Sequence, residues 1–240
     1  MKSYRARCLS VLVFACFTGS VAARGQVGDF DIPTSLTDKL RRIEFWGTNY
    51  WVHEAQEASD GIPLLDLKER PLGITLSRKD WCFGALEGTV RIGAKTFNFA
   101  GTGKTKQVDC STFFTPEVGF SRFTPARGPL GDGIQGFVLV PYRTLATDPS
   151  FLSPGTVVYI PAAVGSRLPG GKSHDGYFFV GDRGGAVKGN HIDFFNGEEL
   201  SSFPFVLSRP KPLFVAYVIE NTAIIQKLTR EHTRSKLAVQ

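Results

Sequence analysis

Residues Phe178 to Phe195 read FFVGDRGGAVKGNHIDFF. Two apolar runs, Phe178-Phe179-Val180 and Ile192 to Phe195, flank a segment holding three glycines, Gly184, Gly185 and Gly189. Short aromatic or β-branched runs read as strands, and glycines between them mark tight backbone, often with positive φ. Each run carries one carboxylate at an edge, Asp182 and Asp193. A tight connection brings the run ends together and places both acids in one pocket. The same spacing also fits a hairpin-like turn with two solvated aspartates.

Outward from that stretch, the composition supports the strand reading. The chain has 20 Phe among 240 residues, with 26 Gly and 14 Pro, a balance that favours many short strands over long helices. Its length allows one large domain or two small ones, with enough core to fold without staples. The N-terminus reads as a targeting segment: Lys2, Arg5 and Arg7 precede an apolar stretch from Leu9 to Phe17, and Ser20-Val21-Ala22 offers small residues for cleavage. Residues 1–22 are therefore expected to be a signal peptide on an exported protein, with lipidation at Cys16 as the alternative. Their removal lowers the formal charge from +6 to +3, because three basic residues leave and no acid does. Without a Lys/Arg run or basic helix, that charge is no nucleic-acid footprint.

Cys82 and Cys110 remain after cleavage, and in an oxidising compartment such a pair most simply forms one disulfide. The four histidines (53, 174, 191 and 232) are scattered without zinc-ligand spacing, so neither metal nor cofactor is expected. Gly101-Thr102-Gly103-Lys104-Thr105 invites a phosphate-loop reading, but the required glycine five residues before Gly103 is Asn98. No nucleotide is expected.

In chain order, residues 23–42 read as a lead in which Ser35 caps a short helix through Leu40, and residues 43–54 as an aromatic strand. Ile74 to Leu76, Leu86 to Ile92, Thr96 to Phe99, Phe137 to Val140, Thr156 to Ile160, Phe205 to Leu207 and Leu213 to Ile219 read as further strands. Gly119 to Gly136 and Arg167 to Gly176 read as loops, and residues 221–240 as a charged tail, helical or disordered.

The pattern DxGGAxKGxxxD over Asp182–Asp193, followed by aromatics, resembles the signature of the 3D (Asp-Asp-Asp) domain found in the membrane-bound lytic murein transglycosylase A family. That family carries a third aspartate upstream in a segment of the form R-S/T-x-A-x-D-P-x-x-I-P-x-G. Pro141 to Tyr159 reads PYRTLATDPSFLSPGTVVY and supplies Asp148. The resemblance covers roughly residues 130 to 218. It implies a mainly β protein: a six-stranded double-psi β-barrel over residues 120–220, begun by the strand at 43–54, with a smaller β subdomain inserted at 55–119. Cys82 and Cys110 both fall within that insertion.

The resemblance further implies a lytic transglycosylase acting on peptidoglycan, in which one carboxyl, here Asp193, serves as both general acid and base. Asp182 and Asp148 would tune its proton affinity or position it. Thr48 and Tyr50 would line the sugar groove, Lys188 would be structural or touch substrate, and the three glycines would set backbone geometry. Clustered carboxylates in a partly apolar pocket cannot all stay ionised, so one is expected to hold a proton near neutrality, with Phe178, Phe179, Phe194 and Phe195 supplying the desolvation. Two departures stand out: Arg183 follows Asp182 where Thr or Val is commoner, and Leu152-Ser153-Pro154-Gly155 replaces Ile-Pro-Leu-Gly. Arg183 is expected to face solvent. A non-catalytic glycan-binding module and a structural component with envelope-protein partners are the competing readings.

Overall fold

A computed structural model describes residues 28–33, 40–198, 203, 206 and 212–233. In chain order the strands are β1 (Arg42–Tyr50), β2 (His53–Ala55), β3 (Glu57–Leu65), β4 (Pro71–Leu76), β5 (Thr89–Ile92), β6 (Lys95–Thr102), β7 (Ser121–Pro125), β8 (Thr144–Thr147), β9 (Val157–Tyr159), β10 (Tyr177–Asp182), β11 (His191–Phe195) and β12 (Phe214–Val218). Helix α1 (Arg78–Glu87) follows β4, and α2 (Thr222–Thr233) follows β12. The expected signal segment, most of the Ser35 helix, and Phe205 and Leu207 of the expected Phe205–Leu207 strand lie outside the described residues.

The chain is mainly β, and six of its strands close a barrel in the order β1-β11-β8-β10-β9-β12. The pairs β1–β11 and β8–β10 are parallel; the others are antiparallel. Closure leaves no unpaired sheet edge. Strand alternation sorts the side chains. Phe45, Leu145, Phe178, Val180, Ile192 and Phe194 fill the interior with Phe203 and Phe214. On β1, Trp46, Thr48 and Tyr50 therefore take the outer face.

Gly47 points inward between these rings. A Cβ there would lie 2.7 Å from Cε2 of Phe194, whose ring is boxed in by Phe45, Phe178 and Phe203.

β1 runs almost directly into a second sheet, ordered β2-β5-β6-β7, with the β3–β4 hairpin and α1 beside it. Its core holds Leu64, Leu76, Trp81, Val90, Phe97 and Phe123. The expected strand over Leu86–Ile92 is corrected: Leu86 and Glu87 end α1, and β5 begins at Thr89. The helix is set by its ends. Ser77 accepts from the Asp80 amide at 3.1 Å and donates to the Asp80 carboxylate at 2.7 Å, and Gly88 turns the chain out at φ 78°.

Cys82 of α1 is joined to Cys110, and buried Arg122 clamps the hairpin turn through a bidentate pair with Glu69. The glycine-rich stretch at 101–105 sits on that guanidinium, where Gly103 leaves no room for a Cβ.

Two further expectations change. Gly119–Gly136 is not all loop, since it contains β7, and Phe137–Val140 is not a strand. The stretch read as a polar loop, Arg167 to Gly176, buries His174 and Asp175. Asp175 holds Arg143, itself fully buried, at 2.6 and 3.1 Å. Removing either partner would leave an uncompensated buried charge.

We expect Gly47→Ala to cost about 1–3 kcal/mol through overpacking, read as a lowered urea midpoint. Cys82→Ser should cost about 3 kcal/mol, the closure entropy of a loop of this size, in the same assay. Unchanged midpoints would contradict both arguments.

Candidate active site

β10 and β11, the strands of the opening stretch, do not pair with each other. β8 lies between them, so the hairpin-like turn is excluded. Registers then align one row across four strands: Thr48 is opposite Asp193, Asp193 opposite Ala146, and Ala146 opposite Asp182. Two strand spacings put the α-carbons of the two acids about 10 Å apart. Ala146 stands between them, buried among Tyr50, Val52, Leu130, Leu139 and Phe195.

Asp182 reaches this row through a register shift. Strict alternation would place it on the same face as Phe178 and Val180, inside the barrel. The ladder instead slips between Val180 and Asp182, leaving Gly181 as the extra residue and turning Asp182 to the outer face.

Hydrogen bonds connect the row. Thr48 Oγ1 donates to Asp193 Oδ1 at 2.8 Å and lies 2.7 Å from His191 Nε2. A hydroxyl has one proton, so with an ionised Asp193 the imidazole must be the donor to Thr48. His191 stacks on Trp46, with ring centroids 3.7 Å apart. Tyr50 is buried and its hydroxyl donates to Asp182 Oδ2 at 2.9 Å. Burial and the nearby Asp182 charge push the phenol well above its ordinary range.

The acids stand in different electrostatic settings. Burial raises Asp182 to about 6, against the Arg183 amide and the Tyr50 hydroxyl, which stabilise the carboxylate. Asp148 sits at the end of β8, outside the Thr48–Asp182 row. It accepts from the amides of Gly189 and Ser150 and from the Ser150 hydroxyl, at 2.8 to 3.0 Å, and these bonds hold it down at about 2. Asp148 therefore stays ionised and ties its turn to the glycine segment.

Other expected residues fall as follows. Lys188 and Arg183 are exposed, and Lys188 adds only a weak pull on Asp148. Gly189 adopts φ 58°, and Gly184 leaves space for Val187, whose Cγ2 would be 2.5 Å from a Cβ. Gly185 shows neither constraint. Of the four phenylalanines, Phe178 and Phe194 fill the barrel and Phe179 packs toward α2. Phe195, against Tyr50, is the one beside the acids.

Sequence reading passed over Glu87. This last residue of α1 comes from the second sheet's side and accepts from the Trp51 amide at 3.1 Å. Burial, with a contribution from the Asp193 charge, raises it to about 8. Its signal was the Ser77–Asp80 cap and Gly88, which define the helix that carries it. Among the described residues no group of three or more His, Cys, Asp or Glu could hold a metal ion.

The model of the 3D domain matches residues 143–201. The folded chain is similar to a membrane-bound lytic murein transglycosylase from Agrobacterium tumefaciens at 15% identity and a TM-score of 0.51, covering 76% of each chain. It is also similar to E. coli MltA crystallised with bound chitohexaose, at 18% identity and a TM-score of 0.50, covering 73% of this chain and 71% of that one. No curated protein matches in sequence. The chain thus carries a 3D domain match over residues 143–201 and has a fold like that of the lytic murein transglycosylases it resembles.

Proposed function

We propose that this protein is a peptidoglycan lytic transglycosylase that cleaves MurNAc–GlcNAc bonds and leaves 1,6-anhydro-MurNAc, with Asp193 as its single general acid and base. The observation that carries this reading is the row in which Asp193 stands between Thr48 and Ala146, with Asp182 beyond. An ordinary glycosidase needs a second carboxylate to activate water or attack the sugar. A lytic enzyme does not, because the 6-hydroxyl of the same muramic acid attacks C1.

Asp193 first gives its proton to the glycosidic oxygen as the C1–O bond breaks. As carboxylate it then takes the 6-hydroxyl proton as the new O6–C1 bond forms, which returns the acid to its starting state. Thr48 fixes the orientation of the Asp193 carboxyl. Asp182, ionised above about pH 6, supplies negative charge toward the developing positive sugar ring.

Incubation of the exported protein with peptidoglycan, followed by mass spectrometry, tests the reading. Anhydro-muropeptides are expected. Reducing ends would make it a hydrolase, and retention without products a binding module.

Asp193→Asn should fold and bind glycan but lose about 10²–10⁴-fold in rate. Retention of more than about a tenth would place the proton shuttle elsewhere. Asp182→Asn gives a second check through stability. Folding raises this carboxyl from 3.8 to about 6, so its contribution is fully present below pH 4 and is lost as pH rises through 6. The melting temperature of Asp182→Asn relative to wild type should therefore climb between pH 4 and pH 8. A difference that does not vary with pH would refute the raised pKa.

A further inference from the structure

One face of α1 carries Asp80, Phe83 and Glu87 in a line, three and four residues apart. Phe83 stacks beside His53 at 5.7 Å, meets the ring of Phe114 edge-on at 5.6 Å and that of Phe113 at 6.0 Å. His53 is fixed by Asp80 at 3.0 Å, and Phe113 keeps 39% of its surface exposed. The turn bearing Phe113 and Phe114 begins at Cys110, so the disulfide to Cys82 holds this aromatic wall next to the helix.

One turn further along, Glu87 places its carboxyl where it senses the Asp193 charge. The strip thus leads from an apolar wall to a carboxyl beside the proposed acid. None of these residues has a part in the proton transfers above.

We infer that this strip is a subsite for the acetamido group of an N-acetylhexosamine, with Phe83 and Phe113 against the methyl and the Glu87 carboxyl donating to the carbonyl oxygen. The inference rests on the reading that the protein acts on glycan strands. An acetamido group offers a methyl next to an amide acceptor, and it needs an apolar surface next to a donor. An ionised carboxylate cannot donate. Glu87 can, because burial keeps its proton up to about pH 8 while Oε2 accepts the Trp51 amide.

The groups facing Glu87 leave its titration readable. They are Asp193 from β11 and Tyr50 from β1. Tyr50 titrates far above this range. Arg91 of β5 is engaged with Glu54 and Glu198.

The test is calorimetric binding of chitohexaose and of the glucosamine hexamer to the exported protein, with melting curves as the folding control. Glu87→Ala should weaken chitohexaose binding about tenfold, the worth of one hydrogen bond, and narrow its preference over the deacetylated hexamer. Glu87→Gln, whose amide still donates, should stay within about threefold of wild type at pH 7. Wild-type affinity for chitohexaose should fall between pH 7 and pH 9, while that of Glu87→Gln stays flat. Wild-type binding with Glu87→Ala unchanged, or with no pH dependence, would overturn the subsite alone. Failure of the wild type to bind chitohexaose would overturn the glycan reading and the subsite together.

Discussion

The lodging of β8 between the two acid-bearing strands is the constraint on which the rest depends. Its four residues alternate between roles. Leu145 fills the barrel, while Ala146 stands on the outer face between Asp193 and Asp182, packed with Leu130 and Leu139. A larger side chain at 146 would overpack the cluster it shares with Tyr50, Leu130, Leu139 and Phe195. Arg143 fixes where the strand begins, because its guanidinium is held by Asp175 and by the carbonyl of Tyr177. The upstream segment that resembles the 3D signature thus contributes a buried anchor, a spacer and a turn carboxylate, and of these only the last had been singled out.

Three carboxyls show how local solvation outweighs type. Asp148 receives three hydrogen bonds in an open turn and titrates at about 2. Asp182 receives two in a drier place and rises to about 6. Glu87 receives one and rises to about 8. Each lost donor weakens support for the charge, and burial then decides the direction. The chain therefore holds both ionised and protonated carboxyls at neutral pH.

What could be read from the sequence was the part encoded locally. The aromatic runs at 178–180 and 192–195 announce strands, and the acids at their edges announce a site. Spacing could not say that a third strand, thirty residues upstream, would pass between them. Alternation alone would have buried Asp182, and the slip at Gly181 that saves it leaves no periodic trace. Leu86 looked like the start of a strand because it precedes Val90 and Ile92, although the cap at Ser77 spoke for a helix. Asp175 hid in a polar-looking stretch because its partner Arg143 lies far away in the chain.

The segment Gly28–Pro33 is strapped to the base of the barrel. Arg143 binds the Asp29 carbonyl and lies 4.2 Å over Phe30, Asp175 accepts from the Ile32 amide, and Lys227 pairs with Asp31. These anchors sit where the parallel strands β8 and β10 begin, whereas Ala146 and Asp182 mark the other end, about 10 Å beyond Arg143 at 3.3 Å per residue. The molecule therefore has a mooring end and a working end. The Gly28–Pro33 strap is thereby held at the end of the barrel opposite the acids, clear of Asp182 and Asp193.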